Sequence, residues 1–402
     1  MTLVRSMLPF VSAAAIWAVM PASASAQAPT FQVTTVASGL EDPWDIAFAP
    51  GGAMLFTEKC AGLSVRLADG SVRRLVGRGS SFALRADDLF CQGQSGVHGV
   101  AVDPDFARGQ RFVYVFSASE LSRNPRTNRV IRVRVSDDWQ RVDQRTDIVT
   151  DIAFKEAGFL GSPGAHSGGR LRFGPDGFLW ITTGDNHDPG LPQDPQRLGG
   201  KVLRVDRDGK AAPGNGVPAG FDTRIYSYGL RNPQGIAFRP VGAAGGAQVV
   251  IAEHGPGHTD EVTVLAPGGN GGWDPRNRPG LSCRDSGYCG YAGDARSMPM
   301  TDLQRFPSAM RPAWTNEGRS QGMGPAEFLN GPQWGAWNGA LAVALMRDRR
   351  LDLLRLDADG RQAQATTVDV GGSLRIRSLM QGPDGALWAS TDGGQVLRMT
   401  LR

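Results

Sequence analysis

Residues 171–185 read LRFGPDGFLWITTGD. Leu171, Phe173, Leu179 and Ile181 recur at the two-residue period of a strand, and Pro175-Asp176-Gly177 interrupts them. Proline presets the backbone for a reversal and glycine supplies the positive φ that closes it. The stretch therefore predicts two strands, 171–174 and 178–182, paired about the Pro-Asp-Gly turn. The same plan recurs in IAFAPGGAMLFTE (46–58), VAVDPDFARGQRFVYVFSAS (100–119), IAFRPVGAAGGAQVVIAEHG (236–255) and LMQGPDGALWASTDGG (379–394). A less regular sixth copy is GPQWGAWNGALAVALMRDRRLDLLRL (331–356).

Six hairpin-centred units with loops of unequal length predict an all-β fold: a six-bladed β-propeller of four-stranded antiparallel sheets around a central channel. A β-sandwich or a pair of small β domains is the competing architecture, but no Pro/Ser-rich linker divides 27–402. That span is read as one domain. The segment 267–330, rich in glycine and tryptophan, reads as a cap over one face.

The 54 glycines and 26 prolines suit a chain of short strands and turns. The formal net charge is only +4 and the basic residues are dispersed, which excludes a nucleic-acid surface. Arg5, an apolar run to about Met20 and Ala24-Ser25-Ala26 predict a secretory signal peptide over 1–26. The run is too short to span a bilayer, and no later segment predicts stable membrane insertion. Export would place the protein in the periplasm or outside the cell. Four cysteines allow three pairings. Cys60–Cys91 with Cys283–Cys289 is the most local, and disulfides suit an exported chain better than a zinc site.

Five motifs occur in order: HSGGRLRFGPDGFLWITTGD (166–185), LGGKVLRVDRDG (198–209), YSYGLRNPQGIAF (226–238), EHGPGHTDEV (253–262) and LRIRSLMQGPDG (374–385). F-G-P-D-G alone recurs in many propellers. The ordered set, above all G-L-R-N-P-Q-G followed by E-H-G-P-x-x-x-D-E, resembles the soluble quinoprotein sugar dehydrogenases. These form the glucose/sorbosone dehydrogenase family, which uses pyrroloquinoline quinone (PQQ). The resemblance runs from Asp42 to Leu397.

A planar quinone with three carboxylates needs fixed cations, preferably guanidinium forks. Arg375-Ile376-Arg377 has strand spacing, which puts both arginines on one face, where burial requires an anion between them. The resemblance assigns Arg231, Asn232, Arg375 and Arg377 to the cofactor. It adds Arg347, with Arg349 or Arg350 as substitutes if the alignment slips. His254 stands where some members have glutamine, and Gln94 matches a family glutamine although His98 replaces an apolar residue nearby. Calcium takes oxygen ligands, backbone carbonyls included. The resemblance implies that the Gly255 and Pro256 carbonyls hold the cofactor's Ca2+. Asp260 and Glu261 order that loop or bind a second, structural calcium.

Oxidising a sugar C1 hydroxyl by hydride transfer requires a base for the hydroxyl proton. Histidine suits that task near neutral pH. The 171–182 hairpin returns Asp185 towards His166, where a carboxylate would orient the imidazole. The resemblance likewise implies His166 as catalytic base and Asp185 as its partner. Ala165 departs from an aspartate present in some glucose-oxidising members. Trp314, in the cap segment, is a candidate for stacking on a sugar ring or for the cap's own core. No C-x-x-C-H haem motif occurs, so electrons go to an external acceptor, a quinone or a cytochrome. A calcium-dependent propeller hydrolase and a non-catalytic propeller binding module are the other readings. A hydrolase channel would call for carboxylates rather than an excess of arginines.

Overall fold

Leu171–Phe173 pairs antiparallel with Leu179–Thr182, from Leu171 opposite Ile181 to Phe173 opposite Leu179. Gly177 takes the left-handed φ of 76° that the turn requires. The computed structural model describes residues 28–78, 88–123, 125–240, 247–283 and 287–402, so the expected leader lies outside the described residues.

This hairpin is the inner half of one sheet among six. The innermost strands are Pro43–Phe48, Val97–Val102, Leu171–Phe173, Pro233–Phe238, Met323–Phe328 and Ile376–Gln381. Each packs beside the next and the sixth returns to the first, which closes the ring of a six-bladed β-propeller. Phe31–Ala37, near the N-terminus, is the outermost strand of the last blade and pairs with Gln395–Leu401. Joining both ends of the chain in one sheet holds the ring shut. Between blades, faces such as Leu55, Leu63 and Val65 against Val113, Val115 and Val133 bury nearly all their surface.

The 331–356 unit is placed differently from its sequence reading. Pro332–Trp337 is a 3-10 segment, and Leu341–Leu345 and Arg350–Leu356 are the second and third strands of the fifth blade. Its inner strand, Met323–Phe328, lies upstream and contains Gly324-Pro325, which reads as a turn. A register shift between Met323 and Ala326 accommodates the proline.

Both ends of 267–330 serve the blades. Gly269–Asn270 runs parallel to Ile225–Tyr228, and Trp314–Thr315 is the outer strand of the fourth blade. Trp314 packs against that blade's core and not in the central cavity. The intervening excursion has a small core of Trp273, Tyr288, Cys289, Met298 and Met300. Cys283 and Cys289 are bonded, as are Cys60 and Cys91.

A buried charge cluster crosses the channel. Asp45, on the first inner strand, accepts Arg172 Nη1 at 2.8 Å and Val100 N at 3.1 Å, and pairs with Arg170 Nη1 at 2.6 Å. Arg170 in turn donates to Gln234 O at 3.1 Å and Arg377 O at 2.9 Å, so five of the six blades meet here. Burial opposes ionisation of Asp45, but the two arginines outweigh it and hold its carboxyl below the usual range. Burying these charges is costly unless they are paired, and both guanidiniums meet the Asp45 carboxylate. Among the described residues no helix is long and apolar enough to cross a membrane.

Candidate active site

His166 sits in a loop pressed against the 179–182 strand. Its φ is 53°, and Gly168 and Gly169 follow at 64° and 92°. A Cβ on Gly168 would stand 2.8 Å from Thr182 O, and one on Gly184 would stand 2.0 Å from His166 O. Glycine is therefore required on both sides of the contact. The close approach brings Asp185 Oδ1 to 2.7 Å from His166 Nδ1.

The other oxygen of Asp185 is held by the excursion: Trp273 Nε1 and Tyr288 OH each donate to Oδ2 at 2.8 Å. Asp185 is fully buried. Burial raises its pKa, but the hydrogen bond from His166 and the charge of Arg231 prevail and keep it ionised. An ionised carboxylate only accepts, so His166 carries its proton on Nδ1 and presents a lone pair on Nε2. Burial, then Arg231, depress the pKa of His166 well below its ordinary value, against the opposing pull of Asp185. The imidazole is thus a neutral base at neutral pH.

His166 opens into a cavity of about 810 Å³ at the channel mouth. Five cations line it, Lys59, Arg231, Arg347, Arg375 and Arg377, against two carboxylates, Asp42 and Asp392. Asp392 is the anion that the two strand-spaced arginines need. Arg377 grips it with Nε and Nη2, each at 2.8 Å, and Arg375 reaches the same carboxylate. One carboxylate for two guanidiniums leaves an excess of positive charge. Arg231 is buried: Nη1 donates to His254 O at 2.6 Å, Nη2 to Tyr291 OH at 3.1 Å, and Nε has no protein partner. Arg347 makes one long contact, to Ser320 O at 3.4 Å, whereas Arg350 pairs with Asp352 at 3.0 Å. Of the three alternatives around 347–350, Arg347 is the one that lines the cavity.

The remaining expected residues divide into two groups. Gln94, Asn232 and His254 line the same cavity, and Asn232 Oδ1 also accepts Gly168 N at 3.2 Å. Gly255 and Pro256 are buried next to His254, whose Nδ1 lies 2.6 Å from Gly255 O. A Cβ on Gly255 would meet His258 O at 2.0 Å and Thr259 O at 2.3 Å, so backbone carbonyls crowd this turn. Asp260 is buried and accepts Gly255 N at 2.8 Å, Ser320 Oγ at 2.6 Å and Gln321 N at 2.6 Å, which commits it to ordering the loop. Glu261 lies outside the cavity, accepts Thr301 Oγ1 at 2.9 Å, and is pushed up to about 8 by burial and by Glu253. His98 is stacked between Trp44 and Phe116, with ring centroids 4.6 and 5.7 Å away. Burial holds it down to about 3, so it is a neutral histidine of the cavity wall.

A family model described as Glucose / Sorbosone dehydrogenase matches residues 40–398. The chain belongs to that family. It is 29% identical over 382 residues to the aldose sugar dehydrogenase YliI of Escherichia coli K12, covering 93% of this chain and 94% of that one. Quinoprotein glucose dehydrogenase B of Acinetobacter calcoaceticus is 30% identical over 287 residues, 66% of this chain and 56% of the relative. The PQQ-bound aldose sugar dehydrogenase of Streptomyces coelicolor superposes with a TM-score of 0.69 at 26% identity, covering 93% of this chain and all of that one. The apo-form of the Escherichia coli enzyme superposes with a TM-score of 0.75 at 26% identity and the same coverage.

In this sugar dehydrogenase family member, several groups of the site escaped the sequence reading. His187 Nε2 lies 3.0 Å from His166 Nε2, and its Nδ1 lies 3.0 Å from Leu160 O. Tyr291 OH is 3.0 Å from His187 Nε2 and 3.3 Å from His166 Nε2. Only the cluster GYCGY, with Tyr288 and Tyr291 flanking Cys289, and the second histidine in GDNHD hinted at them. Asp392 carried no local signal because T-D-G-G reads as an ordinary turn, and Trp44 carried none because it stands on a blade far in sequence from His166.

Proposed function

We propose that this dehydrogenase oxidises the C1 hydroxyl, or aldehyde hydrate, of an aldose-type sugar by hydride transfer to calcium-bound PQQ. The observation that carries this reading is the His166–Asp185 pair opening into a cavity with more guanidinium than carboxylate.

The residues fit the cofactor. Arg347, with no carboxylate partner among the described residues, and the under-neutralised Arg375 and Arg377 suit a planar tricarboxylate. Arg231, Asn232, Gln94 and His254 complete its holding set. The crowded carbonyls around Gly255 and Pro256 are an oxygen donor set of the kind calcium prefers. When bound, PQQ would supply a two-electron acceptor polarised by the metal. His166 Nε2 takes the sugar hydroxyl proton as the C1 hydride departs, and Asp185 stabilises the imidazolium that forms. Trp273 and Tyr288 hold Asp185 in place and exclude water behind it. Electrons then pass to an external quinone or cytochrome. Two disulfides and the signal-like start support export to the periplasm.

The test is titration of the purified protein with PQQ, with and without Ca2+, followed by an aldose and a dye acceptor. One PQQ should bind per chain, more tightly with calcium, and its absorbance should bleach on adding the sugar. Failure to bind PQQ in the presence of calcium would overturn the proposal.

A further inference from the structure

One buried charge has no role in the scheme so far. Lys201 stands just before the strand Val202–Val205 and is fully buried. Its Nζ donates to three backbone carbonyls: Leu191 O at 2.6 Å, Gly199 O at 2.8 Å and Pro192 O at 3.1 Å. An ammonium has three hydrogens, so the match is complete, whereas a neutral amine would turn its lone pair towards one carbonyl. Burial pushes Lys201 down to about 7, against the pull of Asp194 and helped by Arg197. Asp194 is itself turned to Gln196 N and Arg197 N, at 2.8 and 3.2 Å. Below that pH Lys201 is a cation enclosed by main-chain oxygens.

The three carbonyls belong to the two limbs of one loop, 184–200. Leu191 and Pro192 lie on the outgoing limb, in the 3-10 segment Leu191–Gln193, and Gly199 lies on the return. A Cβ on Gly199 would stand 2.7 Å from Leu191 Cδ1 and 3.1 Å from Gly184 O, so the return presses on the residue before Asp185. Gly200 N donates to Gly184 O, and Asp188 N to Asp185 O, each at 2.8 Å. The loop also reaches the arginine side of the site. Gly229 N donates to Pro192 O at 2.8 Å and Leu230 N to Gly200 O at 3.1 Å, immediately before Arg231 and Asn232. Asn186 and His187, in the same loop, take left-handed φ of 49° and 56° without being glycine. Such residues persist only where the surrounding contacts over-determine them.

We propose that Lys201 is a positioning residue, a built-in cation that clamps the two limbs of the 184–200 loop and so fixes Asp185 against His166. The proposal rests on the reading of His166 and Asp185 as the proton-accepting pair of a sugar dehydrogenase. An apolar side chain of equal length would fill the space but leave three buried carbonyls without donors. The limbs would then part to find other partners, and Gly184 and Asp185 would move with the return limb. A misplacement of about 1 Å near a reacting group costs up to about 10²-fold in rate.

The test compares Lys201→Ala with and without n-propylammonium, which has the size and charge of the atoms removed, and with n-propanol, which has nearly the size and no charge. The first readout is the Nδ1–H proton resonance of His166 in the full-length, cofactor-free protein at pH 6, assigned by its absence from His166→Ala. In wild type the 2.7 Å bond to Asp185 should place it far downfield. In Lys201→Ala it should move upfield or broaden away, and propylammonium should restore it where propanol does not. In the PQQ-loaded protein, reduction by an aldose should slow by roughly 10–10²-fold and recover with propylammonium alone. Melting curves identify a variant that has not folded, and Lys201→Met, of nearly equal volume, then carries the comparison of resonances. An unchanged resonance in either folded variant, or equal recovery with propanol, would overturn the proposal. If no form oxidises a sugar, the reading of function fails, while the resonance still decides the clamp.

Discussion

Replacing Asp185 with asparagine keeps the shape of the side chain and changes what it can accept. The carboxylate takes His166 Nδ1–H on one oxygen, and Trp273 Nε1–H and Tyr288 O–H on the other. An amide has one oxygen and one NH2, so it cannot satisfy both sides. With its oxygen towards the excursion, its NH2 meets Nδ1–H and drives His166 to the other tautomer, where Nε2 carries a hydrogen and cannot act as base. With its oxygen towards His166, Trp273 loses its acceptor and Tyr288 must rotate. Either way a buried donor loses its partner, which costs about 1–3 kcal/mol of stability. Chemistry should fall by roughly 10²–10⁴-fold, because the tautomer and the stabilising charge are lost together. Stopped-flow reduction of the PQQ-loaded variant by an aldose measures this directly, with calorimetry for stability. Reduction within threefold of wild type would show that Asp185 does not set the state of His166.

Arg377→Ala should weaken PQQ binding at least tenfold while leaving the melting temperature of the cofactor-free protein nearly unchanged. Burial, then Arg375 and Arg170, hold this guanidinium down to about 9, so its removal relieves like-charge crowding. An equal loss of stability would instead identify the Arg377–Asp392 contact as a structural ion pair. The pH profile of kcat/KM should also have its acid limb below pH 6.5. The base works when unprotonated, its pKa is depressed by burial and Arg231, and activity is therefore lost only as pH falls through that lower value. A limb above 6.5 would place the working base elsewhere.

The strand–turn–strand units were legible because Pro, Asp and Gly mark the reversals and the flanking residues alternate. Five of the six lie where their periodicity placed them; the fifth blade escaped because Gly324-Pro325 punctuates its inner strand. His166 and Asp185 were legible together because a hairpin of known length joins them. Arg375 and Arg377 were legible as a pair, but their counter-ion was not. Asp392 is fifteen residues from Arg377, across the tight turn of the same blade, and nothing in T-D-G-G distinguishes it from a turn aspartate. Tyr288 and Tyr291 were hidden for a different reason. They reach the base from an irregular excursion with no periodicity, fixed by the Cys283–Cys289 bond and a small core of its own.

His166 is the group proposed to receive the sugar proton, and His166→Ala isolates that role. The anchors proposed for PQQ and calcium lie on other segments, so the variant should bind both as wild type does. In a single-turnover experiment, reduction of the bound quinone by sugar should slow by roughly 10²–10⁴-fold, the usual contribution of a positioned base, while reoxidation by the dye is unchanged. Quinone reduction at close to the wild-type rate would show that another group takes the proton, and loss of PQQ from the variant would instead make His166 part of the cofactor's binding set.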